Sequence, residues 1–263
     1  MKILVIGDLH GELPKNLPKK NIDLILLTGD LGKADLMRKM FFEKEKRKKQ
    51  GLSEIKYASV QKKKAFMEAY NSTMKIIKTL RKIAPVFTIF GNVESSNFET
   101  KKKAKKLKLK LPFLSNDLKK IEGVKLINNL FVNFEGVKIG GLEYFVDVSW
   151  VKEFRPVDFK NEMKSAKIET DKAKKVLKEF SEIDILICHQ PPYGILDKIN
   201  FPGAPKYWEG KHAGSKAILD YISKEQPRYV FCGHIHEAKG EKKIGKTKIV
   251  NLGFRGWKVL DIK

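Results

Sequence analysis

Two histidines two residues apart, His234 and His236, follow an apolar run directly in the stretch VFCGHIHE. Such a pair is either a metal clamp or two ordinary turn residues, and taken alone it does not choose between them. The polar residues that follow the other apolar runs do choose. Gly7, Asp8, Leu9, His10 and Gly11 come after KILVI, Gly29 and Asp30 after IDLILLT, Gly91 and Asn92 after PVFTIF, and His189 after IDILIC. The set Asp8, His10, Asp30, Asn92, His189, His234 and His236 is all oxygen and nitrogen donors, and it takes in four of the chain's five histidines. Mixed imidazole and oxygen ligands suit divalent transition metals. Two such ions roughly 3.5–4 Å apart can clamp a phosphate and lower the pKa of a water between them.

These donors converge only if the apolar runs lie side by side. The runs at 2–6, 22–28, 85–90, 183–188, 228–232 and 248–252 are short and continuous rather than alternating, as in strands buried on both faces. In an open α/β sheet, ligands bind in the crevice beyond the carboxyl ends of the strands. Helical spacing of Phe66, Tyr70, Met74, Ile77 and Leu80 marks a helix over roughly 53–83, and 171–180 and 214–224 read as two more. The middle of the chain, 125–148, alternates and carries an Asn-Asn pair and a Glu-Gly turn, which predicts a β-meander with hairpins. Alternating β and α at both ends around a β-meander predicts an α/β fold of two mixed sheets packed together, with helices outside. The expected organisation is one domain over 1–263, carrying a basic helical insertion at about 33–84.

The motifs GDLHG, GDL, GNVE, CHQPP and GHIH, in this order across residues 1–253, resemble those of the calcineurin-like metallophosphoesterases. The resemblance implies a four-layer αββα sandwich and a dinuclear metal-dependent phosphoesterase. Asp8, His10 and His236 would hold the first ion, and Asn92, His189 and His234 the second, with Asp30 bridging. A water activated between the ions near Asp30 would attack phosphorus. The carboxylate bridge would offset the repulsion of two like-charged ions, and the neutral amide of Asn92 would leave the second ion the stronger Lewis acid. Two divalent ions are expected, manganese first, with iron, zinc, cobalt or nickel also suited to this donor set.

One position departs from the pattern. Many family members carry histidine after Gly-Asn, whereas this chain reads Gly91-Asn92-Val93-Glu94. Valine donates no proton, and general-acid help is worth roughly 10²–10⁴-fold, so the departure tilts the reading from phosphomonoesters to phosphodiesters. Glu94 is expected to support the turn or a ligand rather than to catalyse. His212, in a glycine-rich turn before a helix, is either a substitute proton donor or phosphate contact, or an exposed loop or cap residue. Tyr193, Tyr207 and Trp208 suit lid packing or ring stacking, and Ser215 suits a helix cap.

The chain has 54 basic and 31 acidic residues, a net charge of +23. That excess, concentrated at 43–50 and 101–110, fits solvated helix faces or a polyanionic partner such as nucleic acid. No apolar stretch is long enough for a signal h-region or a membrane span. Cys188 and Cys232 each lie in an apolar run, which predicts buried reduced thiols and a cytoplasmic protein. GDLGK at 29–33 is too short for a phosphate-binding P-loop. Besides a phosphodiesterase, three readings remain: a monoesterase or protein phosphatase, a nuclease using the lysine-rich surface, and a metal-stabilised interaction module with little turnover. Substrate and oligomeric state leave no trace in the sequence.

Overall fold

The computed structural model describes residues 1–201 and 206–262. Its strands are β1 (Lys2–Ile6), β2 (Leu24–Leu27), β3 (Val86–Thr88), β4 (Val124–Leu126), β5 (Leu130–Phe134), β6 (Val137–Leu142), β7 (Ile185–Cys188), β8 (Tyr229–Cys232), β9 (Gly240–Ile244), β10 (Thr247–Asn251) and β11 (Trp257–Asp261). The helices are α1 (Asp35–Lys49), α2 (Ser59–Leu80), α3 (Asn97–Leu107), α4 (Leu114–Lys119), α5 (Val148–Phe154), α6 (Phe159–Glu179) and α7 (Lys216–Glu225).

Two mixed sheets form, in the orders β11-β1-β2-β3-β4 and β5-β6-β7-β8-β10-β9. Strands β1 to β4 run parallel, β4 forming one edge, as do β6, β7, β8 and β10, while β11, β5 and β9 close the other three edges antiparallel. Side chains alternate faces along each strand, and each face has its own core. Ile3, Val5, Leu24 and Leu26 of the first sheet meet Ile139, Ile187, Phe231 and Val250 of the second in the central layer. Leu4, Ile6, Ile25 and Leu27, on the opposite face, are covered by Ile76, Ile77 and Leu80 of α2 and by Leu114 and Leu118 of α4. Leu186, Cys188, Val230 and Ile249 pack on Ala173 and Leu177 of α6 and on Ile218 and Ile222 of α7. The result is the four-layer αββα sandwich. Burial of each large aliphatic side chain contributes roughly 1.5–3 kcal/mol, which explains why strands apolar on both faces hold these positions.

The middle of the chain differs from the meander expected of it. β4 adds to the first sheet beside β3, the antiparallel hairpin β5–β6 opens the second, and 143–147 continues irregularly into α5. Alternation reports one buried face but does not say which sheet supplies it. The helix expected from residue 53 begins at Ser59, where the Gln61 side chain accepts from the Ala58 N–H. Its later turns form the crossover between the parallel strands β2 and β3. The helix read at 171–180 starts twelve residues earlier, at Phe159, because Ala166 and Thr170 extend the buried face in small steps that the apolar pattern understates. Cys188 and Cys232 are buried and free. Among the described residues no helix is long and apolar enough to cross a membrane.

Candidate metal centre

The seven donors lie on the loops at the carboxyl ends of β1, β2, β3, β7 and β8. Three of them, His10, Asp30 and His234, have left-handed backbone, with φ of 42°, 49° and 66°. Non-glycine residues sit there at a cost and cluster at functional sites. Close approach is also required. An ideal Cβ on Gly91 would lie 2.6 Å from the Asp30 nitrogen and 2.7 Å from His189 Cε1. Gly91→Ala is therefore expected to push Asp30 and His189 out of position and weaken metal affinity ~10–100-fold, the range for disturbed ligand support. Chelator competition on the purified variant would measure it.

Two subsites emerge from the distances. In the first, His236 Nε2 is 3.0 Å from Asp8 Oδ2 and 3.2 Å from His10 Nε2, and His10 Nε2 is 3.8 Å from Asp30 Oδ2. In the second, Asn92 Oδ1 is 2.9 Å from both His189 Nε2 and His234 Nδ1, and His189 Nε2 is 3.6 Å from Asp30 Oδ1. The two oxygens of Asp30 thus face different groups. Asp8, His10 and His236, and likewise Asp8, Asp30 and His189, present ligand atoms all within 4.8 Å of one another.

The supporting hydrogen bonds select the ligand atoms. His189 Nδ1 donates to the Thr28 carbonyl at 3.0 Å, which leaves the Nε2 lone pair for the centre. Asp8 Oδ2 accepts from the His234 backbone N–H at 2.6 Å, which ties β1 to the loop after β8. Glu94, one of the buried residues, accepts four backbone N–H bonds: Oε1 from Leu31 and Gly32 at 2.8 and 3.1 Å, and Oε2 from Asp30 and Gly91, both at 3.0 Å. It pins the Asp30 loop to the Asn92 loop.

Electrostatically the site is prepared for cations. Burial, followed by the neighbouring Asp8 carboxylate, pushes Asp30 up to about 7. Burial and Asp30 push Glu94 up to about 7 against the pull of the Gly32 and Gly91 N–H groups. Asp8 stays below its usual value because the hydrogen bond from His236 and the nearby imidazoles outweigh its burial. Burial and the Arg38 guanidinium hold His10 down to about 3, and burial with His189 holds His234 well below the usual imidazole range. These two imidazoles are therefore neutral, the state that ligates metal. Asp8 Oδ1 and His10 Nδ1 are buried with no hydrogen-bond partner among the described residues. Buried polar atoms rarely stay unpaired. The crowded carboxylates, neutral imidazoles and unpaired Asp8 oxygen all fit two bound cations.

His212 is not brought into this cluster by any contact among the described residues. Its Nδ1 lies 2.7 Å from Oδ1 of the buried Asp197, and its ring packs beside Tyr193. Ser215 is fully buried and caps α7, accepting from the Ile218 N–H and donating to Asp147. Trp208 packs with Trp150 and Phe154. Three residues not anticipated from the sequence frame the centre. Arg38 brings Nη2 to 3.4 Å from His10 Nε2, and Phe254 stacks on His10 at 5.8 Å. Tyr144 lies against His189 and His234, its ring 5.7 and 5.3 Å from theirs. Each is distant in sequence from the residue it touches and sits in no motif.

The chain belongs to the calcineurin-like phosphoesterase family, whose pattern matches residues 1–238. That family defines a metal-dependent phosphoester hydrolase with a dinuclear centre. Uncharacterized protein MJ1162 of Methanocaldococcus jannaschii is 27% identical over 271 residues, spanning 100% of this chain and 93% of the relative. Two solved structures share the fold. One has a TM-score of 0.59 at 17% identity, covering 99% of this chain and 94% of the other. The other, phosphopantetheinyl hydrolase (PptH) from Mycobacterium tuberculosis, has a TM-score of 0.54 at 12% identity, covering 97% and 90%.

Proposed function

We propose that this chain is a dinuclear phosphodiesterase. Asp8, His10 and His236 would hold one ion and Asn92, His189 and His234 the other, with Asp30 placed to serve both. The opposed reach of the two Asp30 oxygens, toward His10 and toward His189, is the observation that carries this reading. When bound, the ions supply Lewis acidity toward phosphate oxygens and a lowered pKa for water. The protein's own part is positional. Glu94 and the Val93 N–H, which donates to Asp30 Oδ1 at 2.8 Å, fix the Asp30 carboxylate. Thr28 fixes the face of His189. Asn92 adds no charge, so the second subsite keeps its attraction for an anionic substrate. Four imidazoles and three oxygen donors admit manganese alongside iron, zinc, cobalt or nickel, and the two free thiols agree with work in the cytoplasm.

The preference for diesters rests on Val93. It is 6% exposed and packs with Ala34 and Ala69, so the position that bears histidine in many family members is here a buried apolar residue with no proton to donate. A missing donor weighs most on esters with poor leaving groups, so the two ester classes are compared at one shared activated leaving group, where that effect cancels and the preference of the site itself is read. Manganese-loaded protein is expected to hydrolyse bis(p-nitrophenyl) phosphate with a higher kcat/KM than p-nitrophenyl phosphate. A clear monoester preference would refute the diesterase assignment while leaving the metal centre standing. The Asp197 pairing supports an anchoring role for His212 over a proton-donating one. His212→Ala should then lower thermal stability more than it lowers kcat.

A further inference from the structure

Arg38 sets a cation against a cluster that itself fits cations. Its Nη2 lies 3.4 Å from His10 Nε2, the nitrogen that faces His236 and Asp30 in the first subsite. His10 is buried, whereas Arg38 is exposed, so the guanidinium meets the centre on its solvent side, from which a substrate arrives. The first turn of α1 holds it there. Arg38 N–H donates to the Ala34 carbonyl at 2.8 Å, and Leu36 N–H donates to Glu68 Oε2 of α2 at 3.1 Å. Ala34 and Met37 pack with Ala69 of α2 and with Val93.

No carboxylate forms an ion pair with Arg38 among the described residues. Arg255, the other guanidinium at this end of the centre, is committed: Nη1 lies 2.7 Å from Glu12 Oε2, and the group covers the Phe254 ring at 4.5 Å. In the metal-free protein the Asp8 and Asp30 carboxylates offset the charge of Arg38 at longer range. Two divalent ions carry more positive charge than these two acids neutralise, and counting Glu94 as ionised does not reverse the balance. With the ions bound, His10 Nε2 no longer accepts from Arg38, and the guanidinium faces excess positive charge. An anion seated between them removes that conflict. The planar fork of arginine N–H donors fits phosphate oxygens, and it keeps its proton, so Arg38 stabilises charge and donates no proton to a leaving group.

Resting on the phosphoesterase reading of the centre, we propose that Arg38 grips a non-bridging oxygen of the substrate phosphate and so couples metal to substrate. Arg38 opposes metal binding at His10 while the phosphate is away, and it strengthens the hold on the phosphate once the metals are in place. By linkage the coupling is reciprocal.

Isothermal titration reads this without turnover. In phosphate-free buffer, Arg38→Gln should bind manganese ~2–5-fold more tightly than the wild type, because the cation beside His10 is gone. In the manganese-loaded proteins the same substitution should weaken inorganic phosphate at least ~10-fold. Arg38→Lys keeps the charge and loses the fork, so its manganese affinity should match the wild type and its phosphate affinity should fall between the two. The opposite signs separate this role from simple support of His10, whose loss would weaken both ligands. No phosphate binding by the manganese-loaded wild type, phosphate affinity within about twofold of wild type in Arg38→Gln, or weaker manganese binding by that variant would each overturn the proposal. An Arg38-dependent phosphate site in a protein that cleaves no bis(p-nitrophenyl) phosphate would refute the diesterase reading and leave the Arg38 contact standing.

Discussion

Glu94→Ala is expected to be the most destabilising single substitution around the centre. The carboxylate accepts from the backbone N–H groups of Asp30, Leu31, Gly32 and Gly91, and its side chain is buried. Truncation leaves four donors without their acceptor, each costing about 1–3 kcal/mol if it finds no water. With partial rescue by water entering the space, a loss of roughly 4 kcal/mol is expected. For a chain of this size that corresponds to a fall in Tm of roughly 8–16 °C. Glu94→Gln keeps one oxygen acceptor but turns an NH₂ toward N–H groups, so it should fall between the wild type and Glu94→Ala. Scanning calorimetry of the three metal-free proteins would check the order. A Glu94→Ala protein within about 1 kcal/mol of the wild type would mean that the Asp30 and Asn92 loops hold their shape without it.

Asp30→Asn is expected to have the largest effect on activity. Oδ1 and Oδ2 of Asp30 reach toward different imidazoles, and Oδ1 also accepts the Val93 N–H. An amide of the same shape removes the negative charge that lies between the two subsites, so the repulsion of two nearby cations goes uncompensated. One ion should be lost or bound weakly. kcat/KM on bis(p-nitrophenyl) phosphate should fall at least ~10³-fold, equivalent to about 4 kcal/mol of transition-state stabilisation. Steady-state kinetics with manganese varied in both proteins would measure it. A loss of less than about tenfold at saturating manganese would remove Asp30 from its shared role. The buried Asp8 and Asp30 carboxylates repel in the metal-free protein, with Asp30 pushed up to about 7. The same substitution is therefore expected to leave metal-free stability unchanged or raised, which distinguishes a functional residue from a structural one.

The convergence of the seven candidate ligands was legible because each lies within four residues of the end of an apolar run, and parallel strands place such ends together. Periodicity alone supplied the outer helical cover, since Ile77 and Leu80 of α2 recur at helical spacing and lie against the first sheet. The edges were less legible. β9 and β11 pair antiparallel with β10 and β1 but are partly exposed and lysine-bearing, so no apolar run announces them. The 125–148 stretch divides between two sheets, a choice made by packing that alternation does not encode. Around the centre, Arg38, Tyr144 and Phe254 approach from α1 and from loops remote in sequence, and ordinary residue types at ordinary spacing carry no such signal. Glu94 stood within the GNVE motif, but its acceptance of four N–H groups depends on how two loops fold toward each other.

Electron paramagnetic resonance of the manganese-loaded protein tests the central claim most directly. Two Mn(II) ions sharing the Asp30 carboxylate should give an exchange-coupled spectrum at two equivalents of metal, and Asp30→Asn should replace it with that of isolated ions. Two bound equivalents giving only an isolated-ion spectrum in the wild type, or a coupled spectrum that persists in Asp30→Asn, would contradict a centre built across Asp30.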